Sequence, residues 1–419
     1  MKKLSIVLSS ILVSTSLSSW AAEGNIQIWA WNINVPLLQK AAEAYVKDNP
    51  NAVINVSDIG SQDVYTKLSV GLQANGKGLA DVILVEDTHL KGYLENWPNG
   101  FTDLSALGYD EYAQYFPQFK VETNQMNGKF YGMPFDAGPV GVFYRPSIFE
   151  KAGVDPKSIE TWDDYIAAGV KIKEVTGSFM TDIRTDEEIL VRAMIGASNT
   201  HYFDKDGNIA FNSPEMIEVF TNIKKMDEAG ILYTGNIGWD SFVQAFVNNR
   251  IVATPSGAWL AGTIERQAPN QAGDWGVMPL PKNSQGKNAS NIGGSNFVIP
   301  SSSQNVELAY DFMRFFTTTT EWQEAAFVGG LFPSLTPVYA LDSFNAPVEF
   351  FNNQPIWAEF GKTVQNIPAV TFTMDYSLAR QEMIKVLSDV VLNDADVQKA
   401  LNDAAKRLAN QTGRKINKY

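Results

Sequence analysis

The feature that most constrains the fold is an alternation of short apolar strands and amphipathic helices near the start of the chain. Residues 24–30 (GNIQIWA) place two isoleucines on one face of a predicted strand. Further along, Val64, Leu68 and Leu72 are four residues apart, as on the buried face of a helix. The predicted order is a strand at 24–30, a helix at 36–47, a strand at 53–59, a helix ending near 75–76 and a strand at 81–85. Such an order is typical of parallel strands flanked by helices, so the sequence predicts an α/β fold.

The length of the chain favours two lobes over a single domain. Its 419 residues, 45% of them hydrophobic, can bury more than one core. Later helix starts extend the alternation: Thr161 with Asp164 has the spacing of a capping box, and Ser213 before a proline is a typical helix entrance. From Ser377 to the end, the pattern predicts two helices with a break near residues 393–394.

Residues 1–21 have the three parts of a secretory signal peptide. Lys2 and Lys3 precede a mostly apolar run at 4–17, and small residues precede a cut after Ala21. The alternative is an anchoring helix, but the run is shorter than the roughly 20 apolar residues that span a bilayer. We therefore predict export and cleavage.

Cysteine content and charge narrow the setting further. The chain has no cysteine, which excludes disulfides, thiolate zinc sites and a lipidated cysteine after the signal peptide. We therefore expect a periplasmic protein that is not lipid-anchored. The formal net charge is −13, and removal of Lys2 and Lys3 makes it more negative. So acidic a chain argues against nucleic acid or anionic lipid as a partner.

Motifs that resemble catalytic or cofactor-binding sequences are incomplete. Residues 71–77 resemble a phosphate-binding loop, but Gly78 stands where Ser or Thr would hold magnesium. Residues 204–208 resemble a calcium loop with its glycine misplaced, so a hairpin turn is preferred and calcium remains the alternative. His89 and His201 have no partner at metal-ligand spacing. We predict no catalytic residues, no metal site and no cofactor.

The remaining signal is a set of aromatic and planar polar residues at the ends of predicted strands. In open parallel sheets, ligands bind beyond the carboxyl ends of the strands. Indole rings can stack on the apolar faces of sugars, while carboxylates and amides bind the surrounding hydroxyl groups. Glu86, Asp87 and Asp136 have no obvious basic neighbour in sequence, so we expect them to be free to bind hydroxyls. The candidate ligand-binding residues are Trp31, Asn32, Glu86, Asp87, Asp136, Trp239, Trp259, Gly293, Gly294 and Ser295.

Several motifs also resemble one protein family. They are residues 140–145 (VGVFYR), 151–156 (KAGVDP), 161–164 (TWDD), 292–295 (IGGS) and 333–335 (PSL). These motifs are similar to those of the extracellular solute-binding proteins of sugar ABC importers, and the match is collinear from about residue 25 to residue 413. The lactose-binding branch of this maltose-binding-like family is the most similar. The residues that carry this similarity are Trp31, Asn32, residues 62–65, Glu86, residues 133–139 and Trp259.

The chain departs from the lactose-binding branch at two positions. Asp87 replaces an amide, and Phe332 stands where an aliphatic residue is common. The departures bear on which sugar is bound more than on the class of ligand. The resemblance adds Gln62 and Phe332 to the candidate ligand-binding residues.

The resemblance implies a two-lobed periplasmic-binding-protein fold, in which each lobe is a sheet flanked by helices and the ligand lies in the cleft between them. Lobe 1 is predicted to comprise residues 22–134 and 297–342. Lobe 2 is predicted to comprise residues 135–296 and 343–419. The resemblance further implies a monomer that closes on a mono- or oligosaccharide, such as a galactoside, and delivers it to an ABC permease in the inner membrane.

Two other function classes remain open from the sequence. A binding protein for an anionic solute such as a glycerol phosphate would need Arg or Lys at the strand ends, where acidic and aromatic residues predominate. A carboxylate glycosidase would need an acid and a base about 5–10 Å apart. Glu86 and Asp87 are adjacent, so they would point to different sides of an extended chain.

Overall fold

The computed structural model describes residues 23–235 and 238–419. The predicted signal peptide at residues 1–21 lies outside this part of the chain. The first elements confirm the predicted alternation of strands and helices. They are β1 (Gly24–Ala30), α1 (Asn34–Asp48), β2 (Ala52–Asp58), α2 (Ser61–Gln73), β3 (Val82–Glu86) and α3 (Asp87–Asn96).

The middle of the chain alternates shorter strands and helices. The elements up to residue 195 are α4 (Gln118–Asn124), β4 (Gln125–Met126), β5 (Lys129–Phe130), β6 (Met133–Pro134), β7 (Asp136–Ala137), β8 (Val140–Tyr144), α5 (Pro146–Lys151), α6 (Trp162–Thr176), β9 (Thr181–Asp182) and α7 (Ile189–Ile195). The elements that follow are α8 (Pro214–Glu228), β10 (Leu232–Tyr233), α9 (Gly238–Val247), β11 (Ala253–Gly257), α10 (Leu260–Gln267), β12 (Gly276–Pro279) and β13 (Ser295–Val298).

The last part of the chain is mostly helical. Its elements are α11 (Val306–Thr318), α12 (Thr320–Val328), β14 (Phe332–Pro333), α13 (Asp342–Asn345), α14 (Ile356–Val364), α15 (Tyr376–Leu392) and α16 (Val397–Thr412). The two predicted C-terminal helices are thus confirmed. So are the capping box of Thr161 and Asp164 and the cap at Ser213, whose side chain accepts from the backbone N–H of Met216. Across residues 23–235 and 238–419, no helix combines the length and apolar character needed to cross a membrane.

The first sheet brings the predicted ligand-binding segments to one edge. Its strand order is β2-β1-β3-β13-β6, with β1 parallel to both β2 and β3. The carboxyl ends of these three strands therefore lie together. Strand β13 runs antiparallel to β3 and begins with Ser295 opposite Glu86. The turn before β13 consequently lies at the same edge.

The second sheet has the order β11-β8-β12 and is antiparallel. Within the described residues, buried hydrophobic side chains form two clusters. The first surrounds the first sheet and continues over helices α9, α10 and α14, and the second includes helices α6, α8 and α15. Strand β8 contributes to both, because Val142 packs in the second cluster and Phe143 in the first. The fold is therefore α/β and two-lobed; the exact lobe boundaries stay a prediction.

The segments that cross between the sheets run side by side. Strand β7 pairs with β14, and Pro139 pairs with Asn291. Ile292 N–H donates to the carbonyl of Gly138 at 2.8 Å, and Gly138 N–H donates to Asn291 Oδ1 at 2.8 Å. A Cβ at Gly138 would lie 2.0 Å from the carbonyl oxygen of Ile292. Only glycine allows these crossing segments to approach so closely.

We expect Gly138→Ala to destabilise the protein, because the added methyl group forces the backbone of Ile292 away from the ladder. The expected loss is roughly 1–3 kcal/mol, as for overpacking of a tight site. Thermal unfolding by circular dichroism measures it. Gly60→Ala is the control, since a Cβ there meets no atom within 4 Å. Equal melting temperatures for both variants would contradict the close approach.

Candidate ligand-binding site

Predicted ligand-binding residues of the first lobe meet at the carboxyl edge of the first sheet. Trp31 and Asn32 directly follow β1, and Gln62 lies in the first turn of α2 after β2. Glu86 ends β3 beside the start of β13. Asn32 and Gln62 are exposed, whereas Trp31 is buried. Asn32 adopts a left-handed conformation with φ 52°, which turns the chain from β1 into α1.

An aromatic platform lies next to Glu86. The Tyr65 and His89 rings stack with their centroids 4.0 Å apart and their planes at 11°, and Trp31 meets Tyr65 edge-on at 6.2 Å. Burial, together with the positive charges of Arg192 and Arg380, lowers the pKa of His89 to about 4. The imidazole is therefore neutral at neutral pH. No pattern in the sequence marks His89 as a site residue, because its ring packs on Tyr65, 24 residues away, and it lacks a partner at metal-ligand spacing.

Glu86 is the most accessible of the three predicted carboxylates, with its side chain 39% exposed. Burial of the surrounding edge raises its pKa, while the positive charges of Arg192 and Arg380 lower it. Both arginines belong to the second lobe, on α7 and α15. Positive charges on the second lobe thus act on a carboxylate of the first lobe. Nothing in the local sequence of Glu86 indicated these distant partners.

Asp87, in contrast, belongs to a buried polar network. Lys120 Nζ donates to Asp87 Oδ1 at 2.5 Å and to the carbonyl of Ser295 at 3.1 Å. Asn296 Nδ2 donates to the same Asp87 oxygen at 2.8 Å. The side chains of Lys120 and Asp87 are 0% and 4% exposed. The expectation that Asp87 is free to bind hydroxyls is therefore wrong, because a lysine 33 residues away in sequence pairs with it.

Asp136 ties two crossing segments together. Its Oδ1 accepts the backbone N–H of Ser295 at 2.7 Å. Burial raises the pKa of Asp136 to about 7; Lys120 opposes this shift, and the carboxylates of Asp87 and Glu86 add to it. Asp136 is 7% exposed. The side chain of Asp136 therefore holds the start of β13 against β7. A contact between Asp136 and ligand hydroxyls stays a prediction.

The glycine turn before β13 permits close packing of this network. Gly293 and Gly294 have φ of 95° and 88°, in the left-handed region. A Cβ at Gly294 would lie 2.8 Å from Asp87 Oδ2. Asp87 N–H also donates to the carbonyl of Gly294 at 3.0 Å. The turn therefore serves as a tight connection between the sheet and the crossing segment.

The second lobe contributes an aromatic wall. Trp239 and Trp259 lie 5.7 Å apart, and Trp239 also packs on Phe242 at 5.4 Å. Trp259 Nε1 donates to the carbonyl of Ile292 at 2.9 Å, which fixes the indole against a crossing segment. The Arg184 guanidinium lies 4.6 Å from the Phe242 ring centroid. Trp259 is half-buried and packs against both hydrophobic clusters beside the crossing segment at Ile292.

Phe332 is placed differently from the prediction. Its side chain is 0% exposed and packs among aromatic rings of the first cluster: Tyr339, Phe344 and Phe360. It therefore has no surface that a ligand could touch in this conformation. The resemblance to the family identified the position of Phe332 in the chain. It could not distinguish a side chain that lines the cleft from one buried below the cleft surface.

The predicted hairpin turn at residues 204–208 is confirmed. Asp204 Oδ1 accepts the backbone N–H groups of Asp206 and Asn208, both at 2.9 Å. The residues on either side of the turn form an antiparallel bridge. In the part of the chain that the structure describes, no group of three or more His, Asp or Glu side chains is arranged to hold a metal ion.

The family model of bacterial extracellular solute-binding proteins matches residues 40–352. The chain belongs to this family. The lactose-binding protein of Rhizobium radiobacter is 30% identical over 367 residues, with 85% of each chain covered. The arabinooligosaccharide-binding protein of Bacillus subtilis (strain 168) is 28% identical over 305 residues, covering 71% of this chain and 70% of that protein.

Among solved structures of similar fold is the ABC transporter associated binding protein of B. animalis subsp. lactis Bl-04, in complex with β-1,6-galactobiose. Its TM-score is 0.76 at 24% identity, covering 94% of this chain and 100% of that one. The two-lobed architecture expected for the family is therefore shared over nearly the whole chain.

Asp136 predicts a pH-dependent contribution to the stability of this family member. Because its pKa is higher in the folded state than in the unfolded chain, its stabilising effect is full below about pH 4 and is lost as the pH rises through 7. Asp136→Asn keeps the acceptor for Ser295 and removes the titration. Between pH 4.5 and 8, the free energy of unfolding of the parent should therefore decrease by roughly 1–3 kcal/mol relative to that of the variant.

Thermal unfolding of both proteins across this pH range measures the decrease. Asp103→Asn is the control of opposite sign, because a hydrogen bond from Lys129 holds the pKa of Asp103 below its usual value. With the range extended down to pH 3, that variant should lose stability relative to the parent as the pH rises toward 4. A difference between Asp136→Asn and the parent that does not vary with pH would contradict the buried, protonated carboxyl.

Proposed function

We propose that this protein is the sugar-capturing component of an ABC importer, with a mono- or oligosaccharide of galactoside type as its ligand. One observation carries the proposal: aromatic rings gather beside a partly exposed carboxylate at the carboxyl edge of the first sheet, and a second aromatic group packs on a crossing segment. The platform of Tyr65 and His89 lies beside Glu86, and the wall of Trp239 and Trp259 lies on the other lobe. The lactose- and arabinooligosaccharide-binding relatives support the choice of ligand class.

The chemistry of the site suits a neutral polyol. Aromatic faces pack against the C–H groups of a pyranose, and an ionised carboxylate accepts hydroxyl hydrogen bonds about twice as strong as those between neutral groups. His89 is uncharged at neutral pH, so the platform brings no net positive charge toward the ligand. A site built from hydroxyl-binding groups also discriminates against analogues that lack those hydroxyls.

An anionic solute is the second candidate, because Arg192 and Arg380 lie near the cleft. Their charges are opposed by acidic groups, however. Glu188 lies 3.6 Å from Arg380 Nε and also lies close to Arg192, and Glu86 faces both arginines. Glu188 further accepts the hydroxyl groups of Tyr202 and Tyr376 at 2.8 and 2.7 Å. With these carboxylates in place, the neutral ligand is favoured.

The proposed cycle has no chemical step. A ligand that contacts both lobes favours the closed state by its differential affinity, as in the hinge closure of periplasmic binding proteins. The closed protein would then be recognised by a membrane permease. We further propose that residues 1–21 are a cleaved signal peptide and that the mature protein is a monomer, free in the periplasm.

The test is a thermal-shift panel of lactose, galactobiose, arabino-oligosaccharides, glycerol 3-phosphate and amino acids. Binding to the folded state adds about 2.7 kcal/mol at a hundredfold excess over Kd, so the neutral galactosides should raise the melting temperature clearly. Chelator should not change the shift, and the sugar should be recovered uncleaved. A shift with glycerol 3-phosphate alone, or released monosaccharide, would overturn the proposal.

Variants at two tryptophans locate the site. Trp259→Ala should weaken binding by more than the roughly 0.5–1.5 kcal/mol of an aromatic pair, since buried area is lost as well. Trp97 is the matched control, because it packs on Tyr93 at the end of α3, away from the aromatic wall. Calorimetry on folded variants should show a loss for Trp259 only. Equal losses in both variants would mean that the aromatic wall is not the site.

A further inference from the structure

Helix α3 contacts the second lobe one turn beyond His89, whose ring already meets Tyr376 of α15 edge-on at 6.5 Å. Its residues Leu90 and Leu94 pack in the first hydrophobic cluster, so the helix belongs to the first lobe. Its opposite side approaches the segment before α15. A Cβ added to Gly92 would lie 3.0 Å from Met374 Cα and 3.3 Å from the carbonyl oxygen of Thr373. The absence of a side chain at Gly92 is what lets the two backbones meet.

One turn further along α3, Glu95 makes a polar contact with the same segment. Its carboxylate accepts the backbone N–H of Met374 at 3.0 Å and lies 3.6 Å from Arg414 Nη2. Arg414 is itself held by the second lobe, since its Nε donates to Asp375 at 2.6 Å. The Glu95 carboxylate on the first lobe thus accepts from groups of the second lobe, whose positions Asp375 helps to fix.

We propose that Gly92 and Glu95 position the lobes for closure, and thereby set the affinity for the solute without touching it. The inference rests on the proposed function, in which the solute is bound by closure. Residues 92, 95 and 373–375 are not among the predicted ligand-binding residues, and their contact joins elements of the two different cores. We name this contact between Gly92, Glu95 and residues 373–375 the latch.

The latch acts through the population of the closed state. Opening of the lobes separates Glu95 from Met374, so the contact stabilises only the closed form. When part of the population is closed before binding, the apparent Kd decreases in proportion to that fraction. Glu95 is 37% exposed, which makes the contact reversible in water rather than a permanent join.

The absence of cysteine allows a direct test in the full mature chain, because two introduced cysteines are the sole labelling sites. Spin labels on Lys67→Cys in α2 and Lys385→Cys in α15 report the distance between the lobes in pulsed electron-resonance measurements. Without any sugar, Glu95→Ala should shift the distance distribution toward the open form. Glu95→Gln should restore part of the closed population, since its amide oxygen can still accept from Met374 N–H.

Glu122→Ala is the matched control. Glu122 is a glutamate on α4 of the same lobe, and its side chain bonds only Gln118 on its own helix among the described residues. For lactose, Glu95→Ala should raise Kd about 5-fold or more, within the usual range of coupling between sites, while Glu122→Ala leaves it unchanged. Identical distances in the parent, Glu95→Ala and Glu122→Ala would overturn the latch, whatever the ligand proves to be.

Gly92→Ala separates closure from stability. Alanine has the higher helix propensity, so α3 itself should be strengthened and the ligand-free melting temperature should not decrease. The added methyl group should nevertheless hold residues 373–374 away, lengthen the label distance and raise Kd. A variant that binds and closes like the parent would contradict the proposal. Failure of lactose to bind any variant, with the distances shifted as expected, would count against the ligand assignment and leave the latch supported.

Discussion

The arrangement of the cleft depends on a lysine that is completely buried. Lys120 donates to Asp87 at the start of α3 and to the carbonyl of Ser295 at the start of β13. An unpaired ammonium group at this depth would cost several kcal/mol, so the fold has to bring Asp87 to it. Asn296 and Asp136 complete the network. The hydrogen bonds that satisfy one charge thereby fix the relative positions of the sheet edge, α3 and the crossing segments.

Function follows from what surrounds this fixed network. The crossing segments join the lobes through a ladder that requires glycine at Gly138, and Trp259 of the aromatic wall donates to that ladder at Ile292. Glu86 is the last residue of β3 and, unlike Asp87, stays accessible, so neighbouring carboxylates have different roles. The buried network of Lys120 and Asp87 fixes the positions of the site residues. In the proposed latch, the contacts of α3 with the second lobe set how readily the lobes close.

The sequence predicted those parts of the fold that depend on local periodicity. The order of β1, α1, β2, α2 and β3 and the two C-terminal helices follow from apolar spacing, which neighbouring residues determine. The placement of site residues at strand ends also predicted correctly that Glu86, Asp87 and Ser295 meet at one edge. What the sequence did not predict depends on distant partners: Lys120 is 175 residues from Ser295, and Phe332 is buried by rings of α13 and α14. No local pattern distinguishes such a lysine from a solvated one.

The central claim is that a sugar is held between the lobes, beside the hinge network. A crystal structure of the protein grown with the sugar that gives the largest thermal shift tests it most directly. The account predicts pyranose density against Trp239 and Trp259, with a hydroxyl within hydrogen-bond distance of the Glu86 carboxylate and the Lys120–Asp87 pair intact beneath. Sugar bound on an outer face of one lobe, or a ligand held by Arg192 and Arg380 without contact to either tryptophan, would contradict it.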